Sequence, residues 1–192
     1  MEYTPLREEF ALASHMKRKK SILITTGGTD PFNITYKLLQ TCLSDVEIAS
    51  YSYEVIVGNM NVYEDELREL AQYNSNIRIH KNVSNMSDYM RSCEAAVSAG
   101  GTTLFELCAC GIPTVCFSFA ENQVKFARET DEHKIMLYAG DARYNEKIEE
   151  NIYKCLLQFL KNTGLKSEYA QRMSELVDGK GCERIAEVLC RK

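Results

Sequence analysis

Two short glycine-containing segments have the composition of loops that bind phosphate. Residues 26–30 read Thr-Gly-Gly-Thr-Asp and follow the apolar run Ser21–Thr25, whereas residues 99–103 read Ala-Gly-Gly-Thr-Thr and follow the apolar run 95–98. Each segment stands between a predicted buried strand and a predicted helix. Glycine pairs at that position let the backbone turn sharply and present N–H groups beside a helix N-terminus, which attracts an anion. The two loops together predict a site for a nucleotide or a sugar nucleotide.

The first loop has the signals of a helix start. Asp30 is a preferred N-cap residue, and Pro31 suits the first helical position because its missing N–H costs nothing there. Capping by Asp30 is compatible with phosphate binding, since Gly28 and Thr29 can still offer N–H groups to a ligand. The spacing is not Gly-x-Gly-x-x-Gly, and no Gly-Lys-Thr follows. Neither the dinucleotide-binding fingerprint nor the Walker loop is therefore matched.

Glu106 has two interpretations. Thr103 and Glu106 have the spacing of a capping box, in which the glutamate side chain reaches back to the N–H of the capping residue. Alternatively, Glu106 is a carboxylate near the helix start that accepts hydrogen bonds from both hydroxyls of a ribose. Further along, Asn122 and Gln123 follow the fifth predicted strand, where they either cap the next helix or contact sugar phosphates.

The elements that must position these residues alternate regularly along the chain. Strands are predicted at 21–25, 53–57, 77–80, 95–98, 114–117 and 135–138. Helices are predicted at 31–43, 63–73, 86–91, 103–110, 122–129, 145–160, 166–177 and 182–190. Short apolar strands alternating with amphipathic helices predict an α/β fold with a Rossmann-like, doubly wound parallel sheet of about six strands. Its usual order places the first and fourth strands side by side, so both glycine loops open onto one crevice.

Composition excludes several function classes. The 192 residues carry a net charge of −4, whereas a nucleic-acid-binding domain normally shows a basic face. No apolar run reaches the roughly 20 residues of a membrane span, and the start of the chain is unlike a signal peptide. Eight cysteines fit free thiols in a reducing cytoplasm. Cys108 and Cys110 face different directions on one helix, which predicts core thiols rather than metal ligands.

The first twenty residues differ from the rest of the chain. Residues 1–20 contain no predicted strand, and their last four residues are basic. We predict that residues 1–20 are a solvated leader, or a linker that follows another domain, and that residues 21–192 form one nucleotide-sugar-binding domain.

Several of these segments resemble a known group of enzymes. Residues 98–115, which read Ser-Ala-Gly-Gly-Thr-Thr-Leu-Phe-Glu-Leu-Cys-Ala-Cys-Gly-Ile-Pro-Thr-Val, are followed by Glu121-Asn-Gln. They resemble the C-terminal domain of UDP-sugar enzymes with the GT-B fold. Gly27-Gly-Thr-Asp-Pro-Phe-Asn and Tyr3-Thr-Pro-Leu-Arg-Glu-Glu-Phe resemble the UDP-sugar hydrolase of the pseudaminic-acid pathway and the related spore-coat polysaccharide proteins. The resemblance extends from Tyr3 to the last helices.

The resemblance implies a binding role for each part of the site. The first glycine loop approaches the diphosphate, the second lines its other side, and Glu106 holds the ribose. Backbone groups of residues 81–83 read uracil. The UDP-binding residues are then Gly27, Gly28, Thr29, Asn82, Val83, Gly100, Gly101, Thr102, Thr103 and Glu106, with Asn122 and Gln123 facing the diphosphate and sugar.

The chain also departs from this family. The family's water-activating histidine lies in an N-terminal domain that we expect to be missing from this chain, and His15, His80 and His133 fall outside matching motifs. We therefore expect no catalytic residue, metal or cofactor in this chain, which then needs a missing domain or a partner subunit. The favoured function is the UDP-sugar-binding half of a hydrolase that releases UDP and an amino-deoxy sugar. The alternatives are the UDP-binding half of a split glycosyltransferase and a sugar-nucleotide-binding module without activity.

Overall fold

The computed structural model describes residues 1–11 and 17–190. Within these ranges the chain forms six strands, which are β1 (Ser21–Thr25), β2 (Ser52–Val57), β3 (Ile77–Lys81), β4 (Ala95–Ala99), β5 (Thr114–Ser118) and β6 (Leu137–Asp141). The six strands form one parallel sheet in the order β3-β2-β1-β4-β5-β6. The predicted doubly wound α/β architecture is confirmed, including the adjacent positions of β1 and β4.

Helices cover both faces of this sheet. They are α1 (Ile34–Leu43), α2 (Val46–Ala49), α3 (Glu64–Tyr73), α4 (Met86–Ser92), α5 (Thr103–Ala109), α6 (Glu121–Glu132), α7 (Ile148–Lys161), α8 (Thr163–Leu176) and α9 (Gly181–Cys190), and a 3-10 helix spans Glu8–Phe10. In the described part of the chain, none of the helices combines the length and apolar character needed to cross a membrane.

The start of α1 differs from the prediction. The helix begins at Ile34 rather than at residue 31, because Asn33 precedes it with a left-handed backbone at φ +53°. Asp30 still caps the helix, since its two carboxylate oxygens accept hydrogen bonds from the N–H groups of Ile34 and Thr35, both at 2.9 Å. The prediction of Asp30 as a capping residue is confirmed, but Pro31 lies in the loop and not in the first turn.

Other element boundaries were also misplaced, and one short helix was not predicted. The last strand begins at Leu137, two residues later than predicted, because residues up to Met136 turn back onto the carbonyl of Thr130. Helix α8 begins at Thr163, since the Asn162 side chain accepts a hydrogen bond from the Leu165 N–H and so caps an earlier first turn. The short helix α2 has four residues, too few for a periodic pattern, and the sequence did not predict it.

The core consists of two layers, one on each face of the sheet. Alternate residues of β1 divide between them, since Ile22 and Ile24 enter one layer and Leu23 enters the other. Helices α1 and α7 close the first layer, which contains Leu38 and Phe159. The central strands β1, β4 and β5 are buried along their whole length. Because the central strands cannot shift without exposing apolar surface, the loops at their carboxyl ends hold fixed positions.

Part of the segment predicted as a leader packs against the domain. Phe10 is 1% exposed and joins the second core layer beside Met90 and Val177. The Arg91 guanidinium donates hydrogen bonds to the backbone carbonyls of Glu9 and Phe10 at 2.9 and 3.2 Å. At least the residues around Phe10 are therefore integrated into the fold. The division into residues 1–20 and 21–192 stays a prediction.

We expect Phe10→Ala to lower the free energy of unfolding by about 3–5 kcal/mol, the usual range for removing a buried phenylalanine side chain. The substitution leaves a cavity between the N-terminal segment and the core. Urea unfolding followed by circular dichroism measures the effect, and Tyr3→Ala is the control because Tyr3 is 51% exposed. Equal stabilities of the two variants would show that Phe10 does not hold the segment in place.

Candidate functional site

The two glycine loops lie side by side at the carboxyl edge of the sheet. The strands that precede them are paired in parallel, with Thr25 opposite Ser98. Gly27 has a left-handed backbone at φ +79°, and Gly27 and Gly28 are exposed. The N–H of Gly27 donates to the Thr25 hydroxyl at 3.3 Å, and the N–H groups of Gly100 and Gly101 donate to the carbonyls of Phe117 and Ala99, both at 2.8 Å. Because both loops leave adjacent strands in the same direction, they face one crevice at this edge.

The first loop is supported by the turn after β2. Met60 donates its N–H to the carbonyl of Gly28 at 3.0 Å. A Cβ atom at Gly58 would lie 2.1 Å from the carbonyl oxygen of Gly27, so only glycine allows this approach. Sequence reasoning missed this contact. The signal was the Gly58-Asn59 turn pair, which stands at the end of β2 just as the glycine pairs stand at the ends of β1 and β4.

The second loop packs closely against the start of α6. Gly100 is buried, and a Cβ atom there would lie 3.0 Å from the Cβ of Gln123. The Gln123 side-chain oxygen accepts a hydrogen bond from the N–H of Phe119 at 2.9 Å, which holds the loop after β5. Gln123 therefore supports the second loop, while the neighbouring Asn122 is exposed at the same edge. The structure therefore places Gly100 of the second loop next to Gln123 of α6, and both residues were predicted to belong to the site.

Glu106 does not form the capping box that its spacing suggested. Helix α5 begins at Thr103 after the capping residue Thr102, whose side chain makes no capping hydrogen bond. The Glu106 carboxylate, with 22% of its side chain exposed, instead lies 3.7 Å from the Arg7 guanidinium. Burial raises the pKa of this carboxyl group, Arg7 lowers it, and Glu9 raises it again. A partly desolvated carboxylate in the first turn of α5 is thus free to accept hydrogen bonds from a ligand.

The loop after β3 forms an open groove at the same edge. Asn82 has a left-handed backbone at φ +54°, which turns the chain beside Val83. The groove has a volume of about 550 Å³ and is lined by both residues together with His80 and Tyr89. Arg7 connects this loop to Glu106, because its guanidinium also donates to the carbonyl of Ser84 at 3.4 Å. The Arg7 guanidinium thus lies between Ser84 of this loop and Glu106.

Of the histidines that the structure describes, His80 contacts other side chains, and His133 lies at the end of α6 that points away from the glycine loops. The Nε2 atom of His80 lies 2.7 Å from a carboxylate oxygen of Glu54, and its Nδ1 atom lies 3.4 Å from the Tyr89 hydroxyl. His133 caps the end of α6, which runs away from the carboxyl edge, and its Nδ1 lies 2.8 Å from the carbonyl of Glu129. His15 lies outside the described residues.

Cys108 and Cys110 are buried thiols of the second core layer, as predicted. Burial raises the pKa of each to about 12, so both are neutral at physiological pH. Across residues 1–11 and 17–190, no three His, Cys, Asp or Glu side chains converge in a way that could hold a metal ion.

Two known proteins are similar to this chain in sequence. A protein of Methanocaldococcus jannaschii, the uncharacterized protein MJ1062, is 36% identical over 117 residues, which are 59% of this chain and 24% of that protein. The spore coat polysaccharide biosynthesis protein SpsG of Bacillus subtilis is 23% identical over 184 residues, which are 95% of this chain and 52% of that protein. The chain therefore spans about half, or less, of the length of these relatives.

One solved structure shows the fold of this chain, and a family model identifies its family. The pneumococcal O-GlcNAc transferase GtfA, solved in complex with UDP and GlcNAc, superposes with a TM-score of 0.63 at 17% identity, over 89% of this chain and 35% of that one. This likeness confirms the predicted fold, a six-stranded α/β domain like the C-terminal domains of GT-B glycosyltransferases. The model of the glycosyltransferase family 28 C-terminal domain matches residues 22–179. The chain belongs to the glycosyltransferase family 28 C-terminal domain family.

Proposed function

We propose that this chain binds the nucleotide part of a UDP-sugar at the carboxyl edge of its sheet. The observation that carries the proposal is the adjacent position of the two glycine loops at the ends of β1 and β4, with Glu106 in the first turn that follows the second loop. The loops offer backbone N–H groups to a diphosphate, so a chain of net charge −4 needs few basic side chains for the task.

Each part of the nucleotide has a matching surface. Gly27, Gly28 and Thr29 would take one side of the diphosphate, while the second loop, Gly100, Gly101, Thr102 and Thr103, takes the other. Glu106 would accept the two ribose hydroxyls, which are donors well suited to a charged acceptor. The groove beside Asn82 and Val83 would hold uracil through backbone groups. Asn122 is exposed at the same edge and would face the sugar, with Gln123 behind it.

For the whole enzyme, we propose a hydrolase that releases UDP and an amino-deoxy sugar for surface polysaccharide or pseudaminic-acid-type synthesis. The likeness to a spore coat polysaccharide biosynthesis protein over 95% of this chain supports the pathway class. A second domain, in cis or in trans, would supply the water-activating base. The alternative is the UDP-binding half of a glycosyltransferase, which the family match favours. The free state of all eight cysteines supports a location in the reducing cytoplasm.

We expect UDP to bind detectably and GDP to bind much more weakly. Backbone groups that match the hydrogen-bonding edge of a pyrimidine do not match the edge of a purine. Calorimetric titration of the chain with UDP, UMP, CDP and GDP measures this preference, and UMP reports the contribution of the second phosphate. Equal affinities for UDP and GDP would contradict the assignment of the groove to uracil.

A further inference from the structure

Arg7 joins the two parts of the site that would hold the nucleoside. One end of its guanidinium lies 3.7 Å from Glu106, and the other donates to the carbonyl of Ser84 at 3.4 Å. The same group contacts the Glu9 carboxylate at 2.8 Å and lies over the ring of Phe10, 5.4 Å from its centre. Glu106 is 99 residues away in the sequence, and Ser84 is 77 residues away.

The backbone around Arg7 is held firmly. Phe10 is buried in the core, and Arg91 binds the carbonyls of Glu9 and Phe10. The last part of the chain also closes over this segment, since a Cβ atom at Gly179 would lie 2.6 Å from the carbonyl oxygen of Phe10. Arg7 therefore extends from a fixed support, and its position relative to Glu106 is set by the fold.

The surroundings of Glu106 have opposing effects on the charge of its carboxyl group. Burial favours the neutral acid, and the neighbouring Glu9 carboxylate disfavours a second negative charge. Arg7 favours the charged form. The thiol of Cys110 also lies near Glu106 but is neutral, because its pKa is raised to about 12. Without Arg7, the ribose acceptor would lose its counter-charge and retain its repulsion from Glu9.

We propose that Arg7 is a positioning residue for nucleoside binding, which keeps the Glu106 carboxylate charged and oriented and couples it to the loop that holds the base. The proposal rests on the proposed UDP site. Arg7 acts through Glu106 and Ser84, and its guanidinium thus links the first turn of α5, which would hold the ribose, to the loop after β3, which would hold the base.

The test is calorimetric titration of the full chain with UDP between pH 5 and pH 8. We expect Arg7→Met to weaken binding at pH 7 roughly fivefold, the order of magnitude of a partly exposed ion pair. Acidification should weaken its binding at a higher pH than in the unmodified chain, because a carboxyl group without its counter-charge takes up a proton more readily. Arg7→Lys keeps the charge and should restore the pH profile, but not the contact with Ser84. The diphosphate titrates alike in every variant, so the profiles are compared with one another.

Two further variants make the test decisive. Arg172→Met is the matched control, since Arg172 is 43% exposed and pairs with Glu168 on α8. Glu9→Gln removes the like charge and should move the loss of binding to lower pH, which tests the proposal even where Arg7→Met does not fold. Wild-type affinity and an unchanged pH profile in Arg7→Met or Glu9→Gln would overturn the proposal, as would tighter binding by Arg7→Met. Failure of the unmodified chain to bind UDP would instead overturn the proposed function.

Discussion

Replacing Glu106 by Gln is expected to weaken UDP binding by about 1.5–3 kcal/mol, the range for a hydrogen bond to a charged group. The amide keeps the shape of the side chain but loses the negative charge that would accept both ribose hydroxyls. Stability should change little, because no side chain caps the N-terminus of α5 and the contact with Arg7 is as long as 3.7 Å. Calorimetry with UDP measures the binding, and thermal unfolding measures the stability.

The control for this variant is Glu132→Gln, which removes one charge from the exposed end of α6. It should bind UDP as the unmodified chain does. A Glu106→Gln protein that unfolds at a lower temperature yet binds UDP normally would show that Glu106 serves the helix rather than the ligand.

A polypeptide of these 192 residues should bind UDP but hydrolyse UDP-sugars at close to the uncatalysed rate. The glycine loops and the helix N-termini can stabilise a leaving diphosphate, but general base catalysis typically contributes another 10²- to 10⁴-fold. His80 already pairs with Glu54 at 2.7 Å, and His133 lies at the far end of α6. Release of UDP from a UDP-sugar, followed over time, measures the rate.

Addition of a second domain, in cis or in trans, should restore turnover. His80→Ala and His133→Ala should leave the low rate of the isolated chain unchanged. Rapid hydrolysis by the chain alone, abolished by His80→Ala, would contradict this prediction, since it would place the base in the groove after β3.

The sheet could be predicted because its central strands are short, mostly apolar runs that are wholly buried. Ser21–Thr25 is buried along its whole length and its bounds were predicted to the residue. Once β1 and β4 were identified, the usual order of a doubly wound sheet placed the two glycine loops together. The bounds of the edge strand β6 were predicted less accurately. The strand Leu137–Asp141 is only partly buried and carries a weaker apolar signal.

The misplaced features depend on contacts that sequence spacing does not record. Asn33 takes a left-handed backbone, which delays α1 by three residues although Asp30 and Pro31 are good starting residues. The spacing of Thr103 and Glu106 matches a capping box, but the carboxylate lies near Arg7 instead. That contact joins residues 99 positions apart, and its only signal was a segment that looked like a leader.

A crystal structure of the chain with bound UDP tests the central claim most directly. We expect the diphosphate between the two glycine loops, the ribose hydroxyls within hydrogen-bond distance of Glu106, and uracil in the groove beside Asn82. UDP bound at the amino edge of the sheet, or at the carboxyl edge with its ribose away from Glu106, would contradict it.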